Sequence, residues 1–431
     1  MKYSAVVISA IISLIFTTEL YAQETLSLNE AIRTALENNY NILTTELDED
    51  IASLNNSWGN AGRIPTITFD TAQNNSRART DGSDITTVNI NPGINLRWVL
   101  FDGFGIKIRK QRLESLEEMA EGNTALVVEN TVQAVILAYY SVLFEQEKQH
   151  VFSEVMGLSR DRYDYEKTRR ELGNAVTYDV LQAQNAWLED RTNFLQQEVA
   201  VSNAYRDLLY IMGIEDNDQF TLTDEFTIDR DEYERIDLRN KMLSSNKTLQ
   251  NQYINEVLRE RETALARSAY YPSLSLNTGA DKIHRRTKVD DFDTDTSNST
   301  SFYANLTLSF NLFNAGNTKR AVEIARIREE MEKISTTDLT HTLNDQLDSL
   351  YDMYEVRREL LSLSEEKLEA ARLNLQISED KFRAGTINSF NYRDVQLIYL
   401  NSALGQLQAI FNLIDSRTAL MRITGSIISE Y

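Results

Sequence analysis

The chain has no cysteine, and only three prolines and three histidines in 431 residues. Without cysteine there is no disulfide, no thiolate metal site and no cysteine-borne lipid anchor. His150, His284 and His341 are spaced like no ligand pair, so no histidine-based metal or catalytic centre is expected. Lys and Arg number 44 against 65 Asp and Glu, a net charge of −21, and such a chain is a poor partner for nucleic acid. Pro65, Pro92 and Pro272 fall in two windows, residues 64–101 and 271–313. The rest of the chain is free of proline, as long helices require. Beyond the N-terminus no run approaches the ~18 apolar residues of a membrane-spanning helix.

What is present begins with an export signal. Lys2, an apolar run from Ala5 to Phe16 and a small residue at Ala22 read as a secretory signal peptide over residues 1–22. The mature chain is then expected in the periplasm, in the outer membrane or outside the cell.

The chain also repeats itself at fixed spacing. Leu100-Phe101-Asp102-Gly103 recurs as Leu312-Phe313-Asn314-Ala315, followed by Gly316. Gly173 with Thr177-Tyr178-Asp179 recurs as Gly385 with Ser389-Phe390-Asn391, and Gly213 recurs as Gly425. The offset is 212 in each case (313 − 101, 385 − 173, 425 − 213). Further upstream, Leu36, Asn39 and Pro65 recur as Leu243, Asn246 and Pro272 at an offset of 207 (272 − 65). The two halves therefore differ by five residues between the proline and the Leu-Phe pair. A register kept over so long a span implies two copies of a rigid element of fixed length.

The proline windows alternate. Ile94, Leu96, Trp98 and Leu100 stand at period two, as do Leu306, Leu308, Phe310 and Leu312. Ile67 and Phe69, and Leu274 and Leu276, begin the same pattern. Each window reads as two strands joined by a polar loop, Arg77–Asp84 in the first and Asp290–Ser299 in the second, where the extra residues fall. Each strand can supply the 9–11 residues of a membrane strand. Two readings stay open here: a membrane barrel, or a β-subdomain of a soluble protein with Trp98 and Phe310 as core.

Long helices flank these windows. Val132, Val135, Tyr139, Val142, Val151 and Val155 advance by threes and fours or their multiples, with counterparts in Ile324, Ile327, Met331, Ile334, Leu343, Leu347 and Tyr354. This is coiled-coil spacing. About 70 residues at 1.5 Å each make a rod of roughly 100 Å. Gly173 and Gly385 end the long helices, and Thr177 and Ser389 are candidate N-caps of the returning ones. Ser27 and Glu30 form a candidate capping box. Acidic residues 215–234 read as a solvated linker between the halves in preference to an ion-binding segment, and Asp290, Asp291, Asp293 and Asp295 as a hydrated loop that fits no complete Ca²⁺ motif.

The order of elements, the Leu-Phe-Asp-Gly and Leu-Phe-Asn-Ala-Gly junctions and the Gly-x-x-x-Thr-x-Asp turn resemble the TolC-like outer membrane efflux proteins over essentially the whole mature chain. The resemblance implies a mainly α fold with membrane β: a duplicated unit of helix, strand pair, long helix and helix. It implies a homotrimer whose twelve strands form one barrel in the outer membrane of a Gram-negative bacterium, continued by a long periplasmic α-helical barrel. Its division runs through N-terminal helices (23–63), a first strand pair (64–101), a first helical hairpin (102–214) and a mid-barrel acidic segment (215–236). A helix (237–270), a second strand pair (271–313), a second hairpin (314–426) and a tail (427–431) follow.

The implied role is a passive exit duct of a tripartite efflux or type I secretion system, neither enzyme nor cofactor binder. Its partners would be a periplasmic adaptor, an inner-membrane transporter and outer-membrane lipid. By the same resemblance Gly173, Thr177, Asp179, Gly385, Ser389 and Asn391 form periplasmic tip turns that dock the adaptor, and Asp179, Phe382, Ile387 and Asp394 surround a constriction. Asn391 stands where relatives often carry an acid, Phe382 where Tyr can stand and Ile387 where Arg can stand, which favours closure by packing. Phe101, Asp102, Gly103, Phe313, Asn314 and Gly316 are strand-to-helix junctions, and Phe69, Trp98, Leu276 and Phe310 are candidate lipid-facing residues. The alternative is a non-conducting trimeric coiled-coil scaffold of the envelope.

Overall fold

The computed structural model describes residues 24–215, 220–290 and 294–430; the signal segment and Asp216, Asp218, Asp291 and Asp293 lie outside them. The elements run β1 (Glu24–Leu26), α1 (Leu28–Asn38), α2 (Tyr40–Asn55), β2 (Thr66–Thr80), β3 (Ser83–Asp102), α3 (Gly105–Glu171) and α4 (Thr177–Met212). Then follow β4 (Phe220–Leu222), α5 (Arg235–Ser245), α6 (Lys247–Ser268), β5 (Ser273–Val289), β6 (Asp295–Ser309), α7 (Asn317–Arg383), α8 (Ser389–Ile423) and α9 (Ile427–Glu430).

Both long helices, α3 and α7, have 67 residues and begin 212 residues apart (317 − 105). Strands β3 and β6 begin at the same offset (295 − 83), so all five extra residues precede β6. Two of them lengthen β5, which has 17 residues against 15 in β2, and three fall between β5 and β6. Both polar loops are shorter than the sequence suggested. Arg77–Thr80 and Asp295–Ser299 continue the strands and stay in register across the ladder. The first hairpin turns on Asp81-Gly82, with φ of 52° and 89°, the two positive values that a tight two-residue turn demands.

The chain divides into two compact units, one made of Thr44–Val127 and Ser245–Asn344, the other of the remainder. The first unit holds a four-stranded antiparallel sheet in the order β2-β3-β5-β6. The second holds a helical core in which Val132, Val135, Tyr139, Val142, Leu347, Tyr354 and Leu413 are fully buried. The coiled-coil spacing read from the sequence therefore marks a buried seam there. In the first unit, Ile324, Ile327, Met331 and Ile334 of α7 are exposed instead. Helices α3 and α8 each contain an 18-residue window apolar enough to cross a membrane, with mean hydropathy of 1.4 and 1.2. About half of each window is buried within the chain, which is how a packing seam behaves.

Residues 237–270, read from the sequence as one helix, are most of two. Asn246 has extended backbone (φ −62°, ψ 118°), and its side-chain oxygen accepts from Leu249 N at 2.9 Å. Asn39 does the same between α1 and α2, accepting from Asn41 N at 2.9 Å while donating to Ile211 O at 2.8 Å. These are the two asparagines of the 207 offset. Replacing Asn246 by Ala is expected to cost about 1 kcal/mol in thermal unfolding, with faster amide exchange confined to the first turn of α6.

Most of the described acidic side chains of residues 215–234 are exposed, as in a solvated linker, but two of them tie the segment to the helical core. β4 pairs in parallel with β1, and the Asp224 carboxylate accepts from Leu28 N at 2.9 Å and from the Tyr139 hydroxyl at 2.6 Å. The same hydroxyl of Tyr139, which is fully buried, lies 2.8 Å from Leu26 O. Asp231 pairs with Arg417 at 2.9 Å. The candidate capping box of Ser27 and Glu30 is present, with both reciprocal bonds made.

Candidate functional site

In an antiparallel ladder, directly opposed residues point to the same face. The register therefore sorts every strand residue. One face carries the rows Phe69–Ile94–Ala280–Phe302, Ile67–Leu96–Thr278–Ala304 and Trp98–Leu276–Leu306. The opposite face carries Asp70–Gly93–Asp281–Ser301, Thr68–Asn95–Gly279–Tyr303 and Thr66–Arg97–Asn277–Asn305. The sheet is apolar on one side and polar on the other. Phe69, Trp98 and Leu276 all lie on the apolar face, and Phe310 follows Leu308 in the same alternation just past β6. On the polar face, the Tyr303 hydroxyl donates to Asn95 Oδ1 at 3.2 Å, and Arg285 donates to Asn89 Oδ1 at 3.1 Å. Strands β2 and β6 are edges, each with one hydrogen-bonding side unpaired within the chain.

The Leu-Phe-Asp-Gly junction turns the sheet into a helix. A bulge between Val99 and Phe101 shifts the register, so Phe101 lies opposite Leu274 and Asp102 opposite Ser273. Asp102 then accepts from Ile106 N at 2.9 Å, capping α3, and pairs with Arg109. Gly103 has φ +66°, and a Cβ there would lie 2.4 Å from Ser268 O and 2.7 Å from Tyr271 Cβ. Phe104 sits edge-on to both Phe101 and Tyr271. In the second copy Asn314 donates to Thr318 Oγ1 at 2.6 Å and Gly316 has φ +75°, while Phe313 is 87% exposed. The same motif is packed where β5 follows it and bare where the chain's sheet ends.

The helical turns lie in the other unit. After α3, Gly173 N bonds to Arg170 O and Asn174 N to Arg169 O; after α7, Gly385 N bonds to Phe382 O and Thr386 N to Lys381 O. Both are Schellman ends with glycine at positive φ, +79° and +71°. The expected caps are corrected by one residue. Val176, without a side-chain cap, precedes α4, and Asn388 caps α8 by accepting from Asn391 N at 2.8 Å. Thr177 and Ser389 are the first helical residues, and Ser389 is buried. Asp179 and Ile387 are half-buried and Asp394 is exposed. Phe382 is buried, stacked on Tyr392 at 4.8 Å and edge-on to Tyr165 at 5.0 Å, so its ring packs inside the hairpins.

Beneath these turns is a buried polar cluster that the sequence did not reveal. Arg393 of α8 makes a bidentate pair with Asp190 of α4, at 2.6 and 2.8 Å. Arg162 of α3 donates to Ser389 O at 3.2 Å, and its Nε and Nη2 find no partner among the described residues. Burial, aided by the Arg393 charge, pushes the Arg162 guanidinium down to about 10. Burial likewise raises the Glu166 carboxyl, with Arg169 opposing. Gln396 is fully buried beside Tyr392 in the same region. A cleft of ≈ 390 Å³, lined by Arg162, Tyr165, Phe382 and Tyr392 among others, lies beside the cluster. The missed signal was in the repeat itself. The 212-offset counterparts of Arg162, Glu166, Asp190 and Arg393 are the uncharged Asn374, Ser378, Ser402 and Leu181.

A sheet apolar on one side and polar on the other, open at both edges and joined to 67-residue helices, is the fold of an outer-membrane channel. The family comparison agrees. A model of the outer membrane efflux protein family matches residues 31–214 and 238–426, and the chain belongs to that family. No curated protein is matched at the level of sequence. Among solved structures, CusC, reported in connection with transmembrane channel formation, has a TM-score of 0.76 at 16% identity, covering 92% of each chain. The CmeC outer membrane channel of Campylobacter jejuni gives 0.72 at 14% identity, covering 93% of this chain and 85% of its own. The open state of the Neisseria gonorrhoeae MtrE outer membrane channel gives 0.70 at 13%, covering 92% and 88%. The protein is an outer-membrane efflux duct of a Gram-negative envelope, with a long periplasmic helical extension.

Proposed function

We propose that three copies close a twelve-stranded barrel and form the passive exit duct of a tripartite system. An inner-membrane transporter supplies the energy and a periplasmic adaptor joins it to the duct. The observation that carries this reading is the open edge. Four strands with unpaired β2 and β6 cannot stand in hydrocarbon, where each unmet backbone group costs several kcal/mol, and a head-to-tail ring of copies removes every edge. Helices beside those edges agree: Leu47, Ile51 and Leu54 of α2, which leads to β2, are exposed, as are Ile324, Ile327, Met331 and Ile334 of α7, which follows β6. These two apolar stripes are suited to cover each other between copies, with Phe313 buried at the same joint.

In this reading the polar face lines the lumen and the apolar face, with Phe69, Trp98, Leu276 and Phe310, meets lipid. The turns around Gly173 and Gly385 face the adaptor, and Asp179 and Asp394, repeated three times, favour cations at the narrow end. The test is conductance in a planar bilayer. The purified protein should conduct and prefer cations, and Asp179→Ala with Asp394→Ala should weaken that preference. Unchanged selectivity would leave both carboxylates as helix-start charges. A trimer that never conducts, even with the Asp190–Arg393 pair removed, would instead be a structural scaffold.

A further inference from the structure

Strand β5 changes character halfway along one face. Leu274, Leu276, Thr278 and Ala280 lie on the apolar face, and the next four residues of the same alternation are Lys282, His284, Arg286 and Lys288. The register is unbroken through the change, since Ile94↔Ala280, Ile90↔His284, Val88↔Arg286 and Thr86↔Lys288 all hold one pairing. On β2 the same face ends in Arg77 and Arg79. Six basic or imidazole side chains thus form a band directly beyond the apolar belt, at the hairpin ends, on a chain whose net charge is −21.

The band is only partly neutralised. Asp84 shares this face and pairs with Arg77 at 2.7 Å and Arg79 at 4.0 Å. His284 is hydrogen-bonded to Asn298 at 2.6 Å. Lys282 and Arg286, both exposed, have no ion-pair partner among the described residues. Lys282 stands one alternation beyond Ala280 and Arg286 three, so these cations begin where the apolar surface ends and where lipid headgroups begin. The lumen has no part in this, because Arg285, between His284 and Arg286, points to the polar face and is held by Asn89.

We propose that this band is a binding surface for phosphate-bearing lipid headgroups in the outer leaflet. Lys282 and Arg286 contact the phosphates while the adjoining apolar face, from Phe69, Ala280 and Phe302 downward, receives the acyl chains. The inference rests on the membrane-barrel reading above. Arginine and lysine suit it because the guanidinium grips phosphate oxygens in pairs and the ammonium adds a mobile point charge. Each cation near an anionic surface contributes enough that losing two is worth roughly a tenfold or greater loss of affinity.

The experiment uses the whole protein in nanodiscs of phosphatidylcholine doped with phosphatidic acid, with retained lipid counted by native mass spectrometry. Wild type should enrich phosphatidic acid over phosphatidylcholine of the same chain length. Lys282→Ala with Arg286→Ala should reduce that enrichment about tenfold, while Arg285→Ala, on the opposite face, leaves it intact. Millimolar inorganic phosphate should not displace the lipid. Displacement would make the site a free-phosphate site, and equal enrichment in wild type and the double variant would overturn the proposal. Conductance of the same samples keeps the two readings apart: a conducting double variant with lost enrichment supports the lipid surface, and a conducting wild type without enrichment rejects it while leaving the duct standing.

Discussion

Asp190→Ala is expected to be among the most damaging single substitutions in the helical unit, costing about 3–5 kcal/mol. Asp190 is 3% exposed and is the bidentate partner of Arg393, itself only 13% exposed. Arg162, deeply buried nearby, already lies low because burial and the Arg393 charge both oppose its ionisation. Removing the aspartate leaves two guanidiniums facing each other in a site from which water is largely excluded. Arg393→Ala should cost less, because Asp190 would keep Arg162 as a counter-charge. Leucine at both 190 and 393 should recover part of the loss, since an apolar pair leaves no unpaired charge from that couple. Thermal unfolding of the purified protein and amide exchange over the first turns of α8 would read these effects. An Asp190→Ala protein as stable as wild type would show that the pair contributes nothing net. The functional consequence follows from what the cluster joins. Asp190 belongs to one helical hairpin and Arg393 to the other, and Arg162 reaches across to the backbone of Ser389. A loosened cluster should raise the basal conductance of the reconstituted duct.

The sheet and the long helices were legible in the sequence because each repeats one local rule many times. Alternation over Ile94–Leu100 and seam spacing over Val132–Val142 survive any single exception. The loops were overestimated because Thr, Asn, Ser and Arg were read as loop residues. On a sheet with one polar face, such residues are what a strand should carry. The cap at α4 was displaced by one residue because a hydroxyl at Thr177 looked sufficient, whereas Asp179 N is met by the backbone of Val176 at 3.1 Å. The buried cluster stayed hidden for a different reason. Charged residues at three- and four-residue spacing read as a solvated face, and only the other helical hairpin turns that face inward. Its trace was the loss of charge between repeat partners, a signal visible only once the 212 offset is used position by position.

That offset also frames the second large effect, at the strand-to-helix junction. Gly103→Ala is expected to cost about 2–5 kcal/mol, from roughly 1–2 for a side chain in the left-handed region and about 1–3 for overpacking. The clash is with backbone, at 2.4 Å from Ser268 O, so no rotamer change can relieve it. Two comparisons separate the contributions. Gly173 has φ +79° with nothing within 4 Å of its ideal Cβ, so Gly173→Ala should show the conformational cost alone. Ala315, the repeat partner of Gly103, already holds φ +54°, and Ala315→Gly should be stabilising by up to about 1 kcal/mol. The readout is the amount of folded, heat-modifiable protein extracted from membranes, with thermal stability of what is recovered. If Gly103→Ala and Gly173→Ala prove equally mild, the close approach to Ser268 and Tyr271 is not a constraint on the junction. If Gly103→Ala alone is lost, that contact is what fixes the angle at which strand becomes helix. Both 67-residue helices leave the sheet through such a junction, so the angle there sets the direction in which each helix starts.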